Sequence, residues 1–113
     1  MSGISTHVLD TARGCPAEGI PVTLEYKNKA GWHEVSTGVT DSDGRIQSLI
    51  DVPLRTAPYG YRITFDIADY HARHGVKPFF PKAAIEFFVH DSTAHHHVPL
   101  LLSPFGYSTY RGS

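Results

Sequence analysis

Apolar and polar residues alternate along most of the chain. In Ile20-Pro21-Val22-Thr23-Leu24-Glu25-Tyr26 every second residue is apolar, and Tyr61-Arg62-Ile63-Thr64-Phe65-Asp66-Ile67 repeats the pattern. A period of two sends successive side chains to opposite faces of a strand. The same alternation predicts strands over residues 4–10, 32–40, 45–51, 84–90, 95–103 and 107–112, which makes eight short strands. Turn residues separate them: Arg13-Gly14-Cys15-Pro16, Asn28-Lys29-Ala30-Gly31, Asp43-Gly44, Ala57-Pro58 and Ser103-Pro104. Asp43-Gly44 has the composition of a tight hairpin turn. Residues 68–74 break the alternation and predict two helical turns, with Asp66 as N-cap, Asp69 three residues on, and Gly75 just past the end. Pro78 and Pro81 stop any continuation. The expected architecture is all-β, two packed four-stranded antiparallel sheets with one short helix.

Composition narrows the picture. A chain of 113 residues is expected to form a single domain, residues 1–113. With 41% hydrophobic and 19% charged residues it has the makings of an ordinary core. The formal net charge is -1 without runs of like charge, which argues against nucleic acid or an anionic membrane as partner. The single cysteine, Cys15, allows no intrachain disulfide and fits a reducing compartment. Neither a signal peptide nor a run of about 20 apolar residues is legible, so a cytoplasmic protein is expected. Histidine is the one unusual count, at eight.

Several residues carry candidate chemistry. In a strand, His95 and His97 share one face and His96 takes the other. Imidazoles at i and i+2 can reach one metal ion, but no Cys or Glu stands at a matching ligand spacing, so no metal is expected. The competing reading is a solvated histidine run. His7 lies in the first strand, where a histidine is more often structural than catalytic. Asp41-Ser42-Asp43-Gly44 hints at a calcium loop but lacks the later ligands of an EF-hand, and a turn is the better reading. Arg45 follows directly and, taken alone, is an ordinary surface charge. Cys15 has no base beside it in sequence and is read as inert. The final stretch, Tyr107-Ser108-Thr109-Tyr110-Arg111-Gly112-Ser113, keeps strand-like aromatics and an arginine to the last residue, and is expected to dock rather than fray.

Together these pieces resemble one family, the transthyretin-like 5-hydroxyisourate hydrolases. The opening His7-Val8-Leu9-Asp10-Thr11 with Gly14 and Pro16-Ala17 is similar to the family's start, and Thr40-Asp41-Ser42-Asp43-Gly44-Arg45 to its arginine-bearing turn. Phe79-Phe80-Pro81 also fits. From His97-Val98-Pro99 through Tyr110-Arg111-Gly112-Ser113 the match to the C-terminal signature is nearly residue for residue. One departure is His96, where the family usually has tyrosine.

The resemblance implies a transthyretin-like (prealbumin-like) sandwich, a homotetramer, and no cofactor. The activity it implies is hydrolysis of 5-hydroxyisourate, the product of urate oxidation, to a ring-opened ureido-imidazoline. By position it implies catalytic roles for His7, Arg45, His97 and Ser113, with Tyr110 and Arg111 contributing to substrate binding. The alternative within the fold is a small-molecule carrier without catalysis. The carrier lacks the histidine-rich strand start and the Tyr-Arg-Gly-Ser ending that this chain carries. Opening the substrate's six-membered ring requires a base for water and donors for the developing oxyanion. His7 or His97 can serve as the base, and Arg45 offers a planar fork of donors. A site drawing on the first strand, a turn and the chain end closes more easily between subunits than within one sandwich.

Overall fold

A computed structural model describes residues 3–50 and 53–112. In chain order the elements are β1 (Gly3–Asp10), β2 (Cys15–Pro16), β3 (Pro21–Asn28), β4 (Gly31–Val39), β5 (Arg45–Ile50), β6 (Gly60–Asp66), α1 (Ala68–Arg73), β7 (Lys82–Phe88), β8 (His95–Ser103) and β9 (Gly106–Thr109). One sheet runs β4-β3-β6-β7. The other has β1 at its centre, with β8 and then β9 on one side. On the other side β1 pairs first with β5 and then with the two-residue β2, a strand too short to leave an alternation. Asp51, the expected end of β5, lies outside the described residues.

The expectation of antiparallel sheets holds for every pairing but one. β1 and β8 run parallel, from Gly3↔His95 to Asp10↔Leu102. A parallel pair needs a long crossover, and here nearly the whole chain lies between the two strands. The alternation sends Ile4 and Val8 of β1 and Val98, Leu100 and Leu102 of β8 inward. They meet Val22 and Leu24 of β3 and Ile63 and Phe65 of β6 from the facing sheet. Each fully buried aliphatic or Phe side chain contributes about 1.5–3 kcal/mol.

The helix forms where expected but is capped differently. Ile67 occupies the N-cap without a side-chain hydrogen bond. Asp66 is instead the last residue of β6, paired with Lys82 of β7. At the other end Gly75 and Val76 donate to the carbonyls of Ala72 and His71, which closes the last turn as predicted. Tyr70 anchors the helix to β1: its hydroxyl donates to Asp10 Oδ2 at 2.8 Å and accepts from Arg13 Nη1 at 3.1 Å.

Asp43-Gly44 makes a turn but not a hairpin. It carries the chain from β4 in one sheet to β5 in the other. Asp41 Oδ1 accepts from the backbone N–H of both Asp43 and Arg45 at 2.9 Å. Gly44 has φ +74°, and a Cβ there would strike the carbonyl oxygen of Val8. Only glycine allows this approach, and Gly44 O in return accepts from Val8 N at 2.7 Å.

The last strand also stops earlier than the alternation suggests, at Thr109. The cause is Pro99, which has no N–H on the edge that faces β9. Its carbonyl is taken by the Thr109 hydroxyl at 2.7 Å. The chain then swings out and returns at Gly112, which bridges to His97.

Candidate active site

Arg45 is fixed by the turn just described. With Gly44 bound to Val8 and Asp41 holding the Arg45 N–H, β5 begins in register with Arg45 opposite His7. On the far side of β1, Ser5 lies opposite His97 and Gly3 opposite His95. The inward residues of β1 and β8 form the core, so Ser5, His7, His95 and His97 share the outward face. A cleft of about 440 Å³ opens there, lined by Ser5, Thr6, Arg45, Ile46, Gln47, His95 and His97.

His97 is held on two edges. Its Nδ1 lies 2.8 Å from Ser5 Oγ, and the same oxygen lies 2.7 Å from His95 Nε2. On the opposite edge the backbone of Gly112 closes over the ring, donating its N–H to the His97 carbonyl at 2.8 Å. A Cβ on Gly112 would stand 2.5 Å from His97 Cδ2. Burial, and then the positive field of Arg45, His7 and His95, push the His97 imidazole below its ordinary 6.5. At neutral pH it is therefore uncharged and able to accept a proton, while Arg45 keeps its charge.

His96 points the other way, as the alternation predicts. It is buried, and its Nδ1 donates to the Ala94 carbonyl at 3.0 Å. Tyr110 and Arg111 do not line the cleft that holds Arg45. They border a second, more apolar cavity of about 370 Å³ between β7 and the chain end, which His97 touches from its other side. Ser113 lies outside the described residues. Cys15 is half-buried in a separate cleft, and among the described residues no imidazole is hydrogen-bonded to it. Among the described residues no three His, Cys, Asp or Glu side chains gather as a metal site would require.

Ser5 and His95 belong to the cleft although no motif in the sequence marks them as a pair. Alternation puts His95 on the face of His97, but only the β1–β8 register brings Ser5 between them.

The arrangement offers a neutral base beside a permanent cation, on a concave polar surface. That can activate water against a carbonyl and stabilise the resulting oxyanion.

Residues 4–112 match the model of the HIUase/Transthyretin family. The 5-hydroxyisourate hydrolase of Salmonella dublin is 46% identical over 110 residues, covering 97% of this chain and 80% of that protein. The Klebsiella pneumoniae 5-hydroxyisourate hydrolase superposes with a TM-score of 0.86 at 37% identity over the whole of both chains. Sea bream transthyretin in complex with thyroxine superposes with a TM-score of 0.89 at 34% identity, over 97% of this chain and 94% of that one. Backbone likeness thus does not separate enzyme from carrier. The chain belongs to the HIUase/transthyretin family.

Proposed function

We propose that this protein hydrolyses 5-hydroxyisourate in urate degradation, with His97 as general base. The observation that carries the reading is the His97 imidazole, held neutral in a polar cleft beside Arg45. A carrier needs an apolar slot, whereas Arg45, Gln47 and two imidazoles fill this surface with donors and acceptors.

In this scheme His97 Nε2, which has no hydrogen-bond partner among the described residues, takes a proton from water as it attacks the ring carbonyl. Arg45 binds the developing oxyanion. His7, opposite Arg45 in the ladder, orients water or substrate. Tyr110 and Arg111 contribute from the terminal segment, and Ser113 with them. No step calls for a cofactor.

We further propose a homotetramer in which copies of the single domain, residues 1–113, close the open clefts over the substrate. Supporting this, β7 and β9 are sheet edges, and Phe88, Phe105 and Tyr110 stand more than half exposed near them. Bare strand edges with apolar side chains are surfaces that proteins cover. The lone cysteine fits a cytoplasmic location. No helix among the described residues is long and apolar enough to cross a membrane.

The direct test is the ultraviolet decay of freshly generated 5-hydroxyisourate, with and without protein and with no added metal. Faster decay with protein is expected. Matching decay curves would refute the hydrolase reading and favour the carrier. Light scattering tests the assembly, and a fully active monomer would contradict it. Removing residues 110–113 should abolish activity in a sandwich that still folds. Retained specific activity in that truncation would confine the tail to a structural role.

A further inference from the structure

We propose that Ser5 and His95 form, with His97, a proton relay that carries the proton of each turnover from the reacting centre to solvent. The inference rests on the hydrolase reading above and adds two residues with a defined task.

The chemistry sets the task. Water attacking an amide carbonyl gives its hydroxide to the carbon and places one proton on the departing nitrogen. The new carboxylic acid ionises at neutral pH, and a ureido nitrogen is not basic enough to keep a second proton. One proton per turnover must therefore leave the site. His97 cannot pass it straight to bulk water by swinging out, because Ser5 holds its Nδ1 edge and Gly112 covers its Cδ2 edge.

The geometry supplies an exit. The Ser5 hydroxyl has one proton and two lone pairs. It touches two ring nitrogens, at 2.7 and 2.8 Å, so it donates to one and accepts from the other. With His97 Nδ1–H donating to Oγ and the hydroxyl donating to His95 Nε2, His97 Nε2 is left bare for water. His97 Nε2 takes a proton from the attacking water and returns it to the departing nitrogen. When Nε2 next takes the proton of the new carboxylic acid, Nδ1–H passes to Oγ and the hydroxyl proton passes to His95 Nε2. His95 then holds the charge, and unlike His97 it is exposed, so bulk water or buffer can take its proton. Once product has left, Nε2–H is lost to water in the emptied cleft while His95, reprotonated from bulk, returns a proton through Oγ to Nδ1, which restores the starting tautomers with one proton released per turnover. Ser5 is 7% exposed, which shields the middle of the path from competing solvent. Charged and titratable groups facing the path are His7 on β1 and Arg45 on β5. Both stand on the His97 side and favour movement of positive charge outward, toward His95.

The experiment uses the intact protein. Wild-type turnover of 5-hydroxyisourate is measured first, so that an inactive wild type rejects the hydrolase reading and not the relay. His95→Ala, an exposed position that leaves the core untouched, should lower kcat by between about tenfold and a hundredfold with little change in KM. Its kcat should then rise with imidazole concentration, while wild type shows no such dependence. Ser5→Ala should lower kcat to a similar degree without imidazole rescue, since the break lies inside the path. A His95→Ala enzyme with wild-type kcat, or one slowed without buffer rescue, would overturn the relay. So would a folded Ser5→Ala enzyme with wild-type kcat.

Discussion

Two of the clefts that combine arginine, histidine and a hydroxyl differ in what those groups have left to offer. The larger, about 530 Å³, lies between the β1–β2 turn and α1 and includes Arg13, Cys15, Tyr70, Arg73 and His74. Its arginines, Tyr70 and His74 are engaged with one another and with the backbone. Arg13 donates to Tyr70, Tyr70 to Asp10, and His74 Nδ1 to the Tyr70 carbonyl at 2.8 Å. Arg73 lies over the Tyr70 ring at 5.6 Å and reaches the Glu18 and Gly19 carbonyls. In the smaller cleft the guanidinium of Arg45 and His97 Nε2 have no partner among the described residues. Charge and volume favour the first cleft; an unpaired cation and an unpaired imidazole nitrogen on one wall favour the second, and acid–base chemistry needs the latter.

Substitutions should separate the two regions cleanly. The largest effect is expected from His97→Ala, which removes the proposed base and should lower kcat by roughly 10²–10⁴-fold with the fold retained. Wild-type activity in that variant would dissolve the distinction between the clefts. Arg45→Gln should cost roughly 10²-fold or more by removing the proposed oxyanion donor. It also has a signature in pH. In the proposed role only neutral His97 works as base, so activity should be lost as pH falls through its depressed pKa. Without Arg45 that pKa moves back toward 6.5, and the acid limb of kcat should shift to higher pH. A limb that stays in place would mean that Arg45 does not act on His97.

Gly112→Ala puts a methyl group against His97 and should lower kcat by displacing the ring, with a smaller loss than His97→Ala. Unchanged kinetics would show that the terminal segment is free to yield. In the other cleft the sign of the result reverses. Tyr70→Phe takes away the donor to Asp10 Oδ2, leaving the buried carboxylate held only at Oδ1 by the backbone of Ala12 and Arg13, and should cost about 1–3 kcal/mol of stability in a denaturant melt. Its kcat at low temperature should match wild type. The smallest change is expected for Arg73→Ala, within about 0.5 kcal/mol and silent in activity, since its contacts are long and exposed.

What the sequence reveals of this arrangement follows from distance along the chain. Alternation needs only neighbours, so strands and their inward faces are legible, including the opposed directions of His96 and His97. Asp43-Gly44 announces a tight turn, but nothing local says that β5 will leave the sheet of β4. The early end of β9 is encoded at Pro99, ten residues before Thr109, and becomes readable only once the two are known to be partners. Arg45, His97 and the terminal residues stand in recognisable motifs. Ser5 stands in none that marks it for His95, because its role depends on a register between the two ends of the chain.

That register also has a consequence during synthesis. Ninety residues separate Ser5 from His95. At about 5–20 residues per second, β1 waits roughly 5–20 s after its own translation before β8 exists to pair with it. For that interval the central strand of one sheet has its whole β8-facing edge bare, and the cleft has one wall. Pairings this distant in sequence are slow to form and leave nascent chains prone to association. A ribosome-stalled chain ending before β8 should therefore be protease-sensitive at β1 and in need of a holding chaperone, and the cleft of Arg45 and His97 should be among the last parts of the protein to come into being.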